Sequence, residues 1–180
     1  MTSLALPSLP VPAVRPRGAA AVATALARRA DLWAPRVEYR APSRWASLVD
    51  LRAAAAVLAP ALHDDLAGVQ VWLLSWLPGQ GTGLHDHGES AGAFAVARGT
   101  LTERVVTGRP GDPAREVSHD LVADRVRSFG THYVHQVVNR QDEAAVSVHV
   151  YAPALRWMTS YDVADGRLVR TGTERAGVDW

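Results

Sequence analysis

The sequence predicts an all-β core, a sandwich or small barrel with N-terminal helices, and three features of the chain support this fold class. Short apolar or alternating segments recur between residues 69 and 171 and are separated by turn residues. The sequence Gly-Arg-Pro-Gly-Asp-Pro at residues 108–113 predicts a loop between two of these segments. The two alanine-rich stretches that are predicted to be helical come before residue 67, so the strand pattern belongs to the C-terminal part of the chain.

The order of elements follows from these patterns. A helix is predicted by propensity at residues 18–32 and is ended by Pro35, and a second is predicted at residues 45–62 with an interruption at Pro60. We expect both helices to pack against one face of the barrel. Strands are predicted at residues 69–77, 91–97, 101–106, 115–121, 125–129, 132–138, 144–151, 158–163 and 167–171. The chain therefore divides into an extended, proline-rich arm at residues 1–17, a helical segment at residues 18–66 and a barrel at residues 67–180.

Composition excludes several classes of function. A length of 180 residues suits one domain, and a formal net charge of +1 gives no electrostatic reason to bind nucleic acid or an anionic membrane. No apolar run is long enough to span a bilayer and no export signal is evident, so we expect a cytoplasmic monomer or small homo-oligomer. The chain has no cysteine, which leaves His, Asp and Glu as ligands for any metal.

A pair of histidines, His85 and His87, follows a glycine-rich turn at residues 78–83. Alternate residues of a strand share one face, so the two imidazoles are expected on the same side and Asp86 on the other. Two nitrogen ligands on one face make half of a metal site.

The spacing around this pair resembles the first motif of the cupin superfamily, Gly-x5-His-x-His-x4-Glu-x6-Gly. Gly79, His85, His87 and Gly99 match it, and Gly92 stands at the glutamate position. The resemblance implies a double-stranded β-helix, or jelly-roll barrel, with a metal inside its mouth.

Residues 130–139 resemble the second cupin motif, which ends in His-x3-Asn. His135 and Asn139 match that ending, whereas Asp124 and Gly130 stand where the family usually has Gly and Pro. The resemblance makes His135 the third metal ligand. Three neutral histidines leave a divalent metal with its full charge, which favours an anionic substrate. Glu89 is an alternative ligand, because it shares strand parity with His87.

A second polar set lies at residues 146–153. Ser147, His149 and Tyr151 alternate with valines, so in a strand a hydroxyl, an imidazole and a phenol would share one face as a hydrogen-bond relay. The alternative is a half-exposed strand with a solvated polar face.

The order of these motifs over residues 72–161 resembles the cysteine dioxygenase family of thiol dioxygenases. The resemblance implies Fe(II) bound by His85, His87 and His135, with Ser147, His149 and Tyr151 beside the iron, and a small thiol and O2 as substrates. Animal members cross-link the tyrosine to a cysteine, whereas this chain has Gly92 at that position, as bacterial members generally do, and forms no cross-link.

The family's carboxylate-binding arginine lies in a Tyr-x-Arg-x-Leu segment, and the best match here places Ala46 at that position. Arg44, Arg98 and Arg156 are candidate replacements, and Arg98 has a second interpretation as an ion-pair partner of Glu103. We therefore expect poor activity on L-cysteine and a preference for another small thiol.

The remaining histidines, His63, His119 and His132, are interpreted as ordinary loop or surface residues. Two other functions stay open for the three-histidine set. One is a zinc or manganese hydrolase or isomerase, because such a site with an open position activates water, and the other is a non-catalytic cupin that binds a small ligand.

Overall fold

The computed structural model describes residues 16–176, which fold into two antiparallel β-sheets with helices on one side. The helices are α1 (Pro16–Ala27), α2 (Ala30–Trp33) and α3 (Leu51–Ala55), followed by 3-10 turns at Pro60–Leu62 and Asp64–Leu66. The strands are β1 (Trp45–Leu48), β2 (Gln70–Trp76), β3 (Leu84–Asp86), β4 (Ala91–Arg98), β5 (Thr100–Thr107), β6 (Arg115–Val122), β7 (Val126–Phe129), β8 (His135–Val138), β9 (Ala145–Ala152), β10 (Trp157–Ala164) and β11 (Arg167–Arg175).

The two sheets face each other. One has the strand order β1-β2-β9-β4-β7 and the other has the order β11-β10-β3-β8-β5-β6. This is the cupin double-stranded β-helix, so the predicted all-β core with N-terminal helices is confirmed.

Two apolar layers hold the structure together, because the strands of the first sheet are covered on both faces. Leu73, Val148 and Val150 point outward and pack against α1, whose buried residues include Val22 and Leu26. The side chains on the other face of the same strands, such as those of Trp76, Phe94 and Tyr151, pack between the two sheets. Helix α1 therefore packs against one face of the barrel, as expected.

The helix predicted at residues 45–62 is wrong over most of its length. Residues Trp45 to Leu48 form β1, which pairs with β2 in the register Trp45↔Ser75 to Leu48↔Trp72. Alanine-rich sequence favours a helix locally, but pairing with β2 satisfies the backbone and buries Trp45, and this tertiary contact outweighs the propensity. The barrel sheets thus begin at residue 45, inside the segment predicted to be helical.

Only α3 remains of that helix. Its N-terminus is capped by Asp50, whose Oδ1 accepts hydrogen bonds from the backbone N–H groups of Arg52 at 2.9 Å and Ala53 at 3.3 Å. Pro60 then begins a 3-10 turn rather than interrupting a longer helix.

Two further expectations concern the ends of segments. The strand predicted from residue 132 starts at His135, because His132 has a φ of 54° in the preceding turn. Residues 1–15 of the predicted arm lie outside the described residues, and its last two residues belong to the first turn of α1. None of the helices within residues 16–176 has the length and apolar content needed to cross a bilayer.

Candidate metal centre

The three predicted ligands converge in the space between the sheets. His85 lies in β3 and His135 begins β8, and the two residues are directly paired across these strands. His87 follows β3 by one residue, so its imidazole returns to the face that carries His85. All three side chains are buried, and their candidate ligand atoms lie within 4.8 Å of one another.

Hydrogen bonds orient two of the rings. His85 Nδ1 lies 2.9 Å from the carbonyl oxygen of Gly83, and His135 Nδ1 lies 2.9 Å from Glu103 Oε1. Because a carbonyl and a carboxylate only accept, the Nδ1 atom of each ring carries a proton and donates it, and these two hydrogen bonds fix the ring orientations.

Burial keeps the rings of His85 and His87 neutral. Burial, followed by the neighbouring His135, lowers the pKa of His85 to about 3. The pKa of His87 is also well below its ordinary value, first because of burial and then because of His85 and His135. Neutral imidazole is the form that binds metal, so the donor set suits a divalent cation.

The spacing of the nitrogens also fits a metal. His85 Nε2 and His87 Nε2 are 3.2 Å apart, a separation that one ion can bridge when each bond is about 2.1 Å. His87 Nδ1 is buried and has no hydrogen-bond partner among residues 16–176. Three buried and converging imidazoles therefore form a metal-binding cluster.

The acidic residues near the pair take other roles. Asp86 points to the opposite side, where Oδ2 accepts from the Tyr161 hydroxyl at 2.8 Å and Oδ1 accepts from Gly88 N at 2.9 Å. The Glu89 side chain is 88% exposed and lies 3.4 Å from His132, outside the cluster. The parity argument that made Glu89 an alternative ligand fails because Gly88, with a φ of 55°, turns the chain.

The polar residues of β9 form the predicted chain of hydrogen bonds. Trp76 Nε1 donates to Ser147 Oγ at 2.9 Å, Ser147 Oγ lies 2.9 Å from His149 Nε2, and His149 Nδ1 lies 3.5 Å from the Tyr151 hydroxyl. Every residue of β9 is buried, because α1 covers the face opposite these side chains, so the interpretation as a half-exposed strand is wrong.

The neutral ring of His149 allows two directions for this chain of hydrogen bonds. Burial lowers the pKa of His149 well below its ordinary value, so the ring is neutral and has one donor and one acceptor nitrogen. In one of the two directions compatible with these contacts, Ser147 donates to His149 Nε2, and His149 Nδ1–H then faces the Tyr151 oxygen. That arrangement leaves the phenolic proton of Tyr151 directed elsewhere. Burial raises the pKa of Tyr151, so it remains a donor.

Tyr151 lies beside the histidine cluster. Its ring centroid is 4.9 Å from that of His87 and 5.9 Å from that of Phe129. Phe94 stacks on His149 at 5.1 Å, with an interplanar angle of 12°. These aromatic rings form an apolar wall around the polar atoms, so any charge inside this site is poorly screened by water.

One of the three candidate arginines lines this space. Arg44 lines a small cavity of about 10 Å³ together with the three histidines, His149 and Tyr151. It also lines an adjoining cavity of about 260 Å³, which reaches Tyr161 and Glu174. Its guanidinium carbon lies 5.6 Å from the centroid of Trp76, and burial lowers its pKa.

Arg98 and Arg156 lie elsewhere. Arg98 is the exposed last residue of β4, so it is not in the core, and its interpretation as a partner of Glu103 is wrong because Arg127 occupies that carboxylate. Arg156 is exposed and lines a separate surface cavity with residues 155, 157, 175 and 176. Neither is among the described residues that line the histidine cavity.

Two residues that hydrogen-bond to the predicted site residues, Trp76 and Glu103, were not predicted from the sequence. The sequence indicates Trp76 only as part of an apolar strand, and Glu103 only as an ion-pair partner of Arg98. Glu103 shares strand parity with Leu101, and both are completely buried, so an inward carboxylate was readable from the alternation of β5. The identity of its partners was not, since they come from other strands.

Gly92 shows why this chain departs from the cupin motif. It pairs with Tyr151 across β4 and β9, and a Cβ there would overlap the carbonyl oxygen of Val150 and lie 2.9 Å from Phe129 Cζ. Neither the glutamate of the cupin motif nor the cysteine of the animal enzymes fits without moving the backbone.

We expect Gly92→Ala to destabilise the protein by about 1–3 kcal/mol, the usual cost of an overpacked core. Urea denaturation measures the change in unfolding free energy. Gly172→Ala is the matched control, since Gly172 also lies in a strand and a Cβ there meets nothing within 4 Å. Equal stability of the two variants would contradict this account.

Comparison with known sequences decides the family. The cysteine dioxygenase type I family matches residues 60–164, more than half of the chain. The chain belongs to this family. Membership of this family and the three-histidine cluster together imply a metal cofactor and an enzyme. A search of curated proteins found no significant match.

Several solved structures are similar to this chain. A Thermus thermophilus protein has 17% identity and a TM-score of 0.50, with 67% of this chain and 93% of that chain covered. A conserved Klebsiella pneumoniae protein with a double-stranded β-helix domain has 16% identity and a TM-score of 0.49, covering 77% and 93%. A cupin superfamily protein of Desulfitobacterium hafniense has 14% identity and a TM-score of 0.46, covering 67% and 87%.

Proposed function

We propose that this protein is an Fe(II)-dependent thiol dioxygenase that converts a small anionic thiol and O2 into a sulfinic acid. The observation that carries the proposal is the hydroxyl of Tyr151, which ends a buried hydrogen-bond chain beside His87 in the cavity that Arg44 also lines. Membership of the cysteine dioxygenase family supports the same chemistry.

The reaction adds both atoms of O2 to one sulfur. The S–H bond and the O–O bond break, two S–O bonds form, and the thiol proton is released with the sulfinate. Sulfur supplies the four electrons that O2 takes up, so no external reductant is needed. An iron(II) ion held by His85, His87 and His135 would supply positions for the thiolate and for O2.

The protein's own groups do the binding and positioning. Arg44 holds the anionic end of the substrate at the boundary between the small cavity and the larger one, which leaves the thiol end directed at the histidines. Tyr151 donates its phenolic proton toward the cavity, and His149 and Ser147 keep the phenol oriented. Phe94 and Phe129 keep bulk water away from the reacting sulfur.

The test is O2 uptake by protein reconstituted anaerobically with Fe(II) and then given a panel of thiols. Consumption of one O2 per thiol, with both atoms of 18O2 found in the sulfinate by mass spectrometry, would support the proposal. Absence of uptake with every thiol would reject it. Activity with zinc or manganese on a hydrolysable or isomerisable substrate would then favour the alternative class, and ligand binding without turnover would favour a binding cupin.

The role of Arg44 gives a sharper prediction. Arg44→Ala should raise KM for anionic thiols such as 3-mercaptopropionate at least tenfold, because a charge-assisted hydrogen bond contributes about 1.5–3 kcal/mol. The KM for cysteamine, which has no carboxylate, should change little. L-Cysteine should remain a poor substrate, since Arg44 precedes the family's arginine position by two residues and meets the carboxylate at a different place.

Arg98→Ala and Arg156→Ala are the matched controls, because both side chains are exposed away from the histidines. Oxygen electrode assays give the kinetic constants for each variant. An equal rise in KM for anionic thiols and cysteamine, or a comparable effect in either control, would show that Arg44 does not bind the carboxylate.

A further inference from the structure

Glu103 is the most deeply buried carboxylate beside the metal cluster. It lies in β5 opposite Val137 of β8, and its side chain has no exposed surface. Its Oε1 accepts from His135 Nδ1 at 2.9 Å and its Oε2 accepts from Arg127 Nε at 2.8 Å. Each carboxylate oxygen therefore has a donor from a different strand.

The surroundings of Glu103 keep the carboxylate in place. A buried charge is costly unless it is paired and hydrogen-bonded, and Arg127 supplies a partner whose side chain is 34% exposed. Arg127 belongs to β7 of the first sheet, whereas Glu103 belongs to β5 of the second. The pair thus connects the two sheets directly behind His135.

The three histidines differ in the hydrogen-bond partner of their Nδ1 atoms. His85 donates to a neutral carbonyl, and His87 Nδ1 has no hydrogen-bond partner among the described residues. Within this set His135 alone donates to a carboxylate. A carboxylate in that position fixes the ring's tautomer and orientation and makes the opposite nitrogen a better metal donor.

We propose that Glu103, held by Arg127, is a positioning residue that fixes His135 for metal binding. This inference rests on the proposed metal centre and adds to it the residue that sets the third ligand. The competing interpretation is that Glu103 and Arg127 are only an ion pair that joins the sheets, in which case metal affinity would not depend on them.

Titration of the metal-free protein with Co(II), followed by its visible absorption and by competition with a chelator, separates the two interpretations. Glu103→Gln preserves size but removes the charge, and we expect it to weaken Co(II) binding 10- to 100-fold. The matched control is Glu116→Gln, which removes the other ion pair of β5, between Arg104 and Glu116 at 2.8 Å, near the solvent. This control should bind Co(II) as the wild type does.

A Glu103→Gln variant that binds Co(II) within twofold of the wild type overturns the inference, even if its melting temperature falls. Wild-type protein that binds no Co(II) at all rejects the metal centre itself, which is a distinct outcome. If Glu103→Gln does not fold, Glu103→Asp provides the same comparison, because its shorter side chain withdraws the carboxylate from His135 and should also weaken binding.

The wild-type protein offers an independent check. In metal-free protein labelled with 15N-histidine, NMR should show His135 as the Nδ1–H tautomer, since Glu103 accepts from that nitrogen. Observation of the Nε2–H tautomer would overturn the inference without any substitution.

Discussion

His135→Ala is expected to abolish stoichiometric metal binding while leaving the barrel folded. The substitution removes one of three nitrogen donors and leaves two, and a site of two neutral imidazoles binds divalent metal far more weakly. The fold should survive because the apolar layers on both faces of the first sheet do not depend on this imidazole. His85→Ala and His87→Ala should behave in the same way.

Elemental analysis after anaerobic loading with Fe(II) measures the metal content, and circular dichroism measures the fold. His132→Ala is the matched control, since it lies three residues before His135 but its side chain is 62% exposed. Equimolar metal in the His135→Ala protein would show that the second motif had been assigned to the wrong histidine.

Tyr151→Phe should lower turnover about a hundredfold or more without reducing the metal content. The ring keeps its packing against His87 and Phe129, but the donor that ends the chain from Trp76 is lost. Loss of one positioned donor in a dry site typically costs this much in kcat.

Oxygen uptake at saturating thiol measures turnover, and elemental analysis confirms that iron is retained. Tyr39→Phe serves as the control, because its side chain is exposed and is not among the described residues that line the two cavities beside the histidines. Unchanged turnover in Tyr151→Phe would reduce Ser147, His149 and Tyr151 to a structural strand.

Features that depend on neighbours along the chain could be predicted from the sequence. The alternation of β9 places Ser147, His149 and Tyr151 on one face, and the His-x-His spacing places His85 and His87 on another. Both follow from the two-residue period of a strand, which holds wherever the strand forms. The turns at glycine and proline likewise separate the strands correctly.

Contacts between distant residues were decided by the tertiary structure. Trp45 to Leu48 became a strand because β2 offered a partner, against the local preference of an alanine-rich stretch for a helix. Arg44 lies one residue before this strand and lines the cavity that Tyr151 also lines, so the proposed carboxylate anchor comes from the segment predicted to be helical, residues 18–66.

By itself the sequence determined the three histidines, the polar face of β9 and the cupin fold, because motif spacing and side-chain alternation are local properties. Only the folded chain paired His85 with His135, set Glu103 behind that ligand, and directed Arg44 rather than Arg98 or Arg156 into the cavity. The reason is physical: each of these outcomes depends on the register between strands that are far apart in the sequence, and register is set by burial and backbone pairing across the whole sheet.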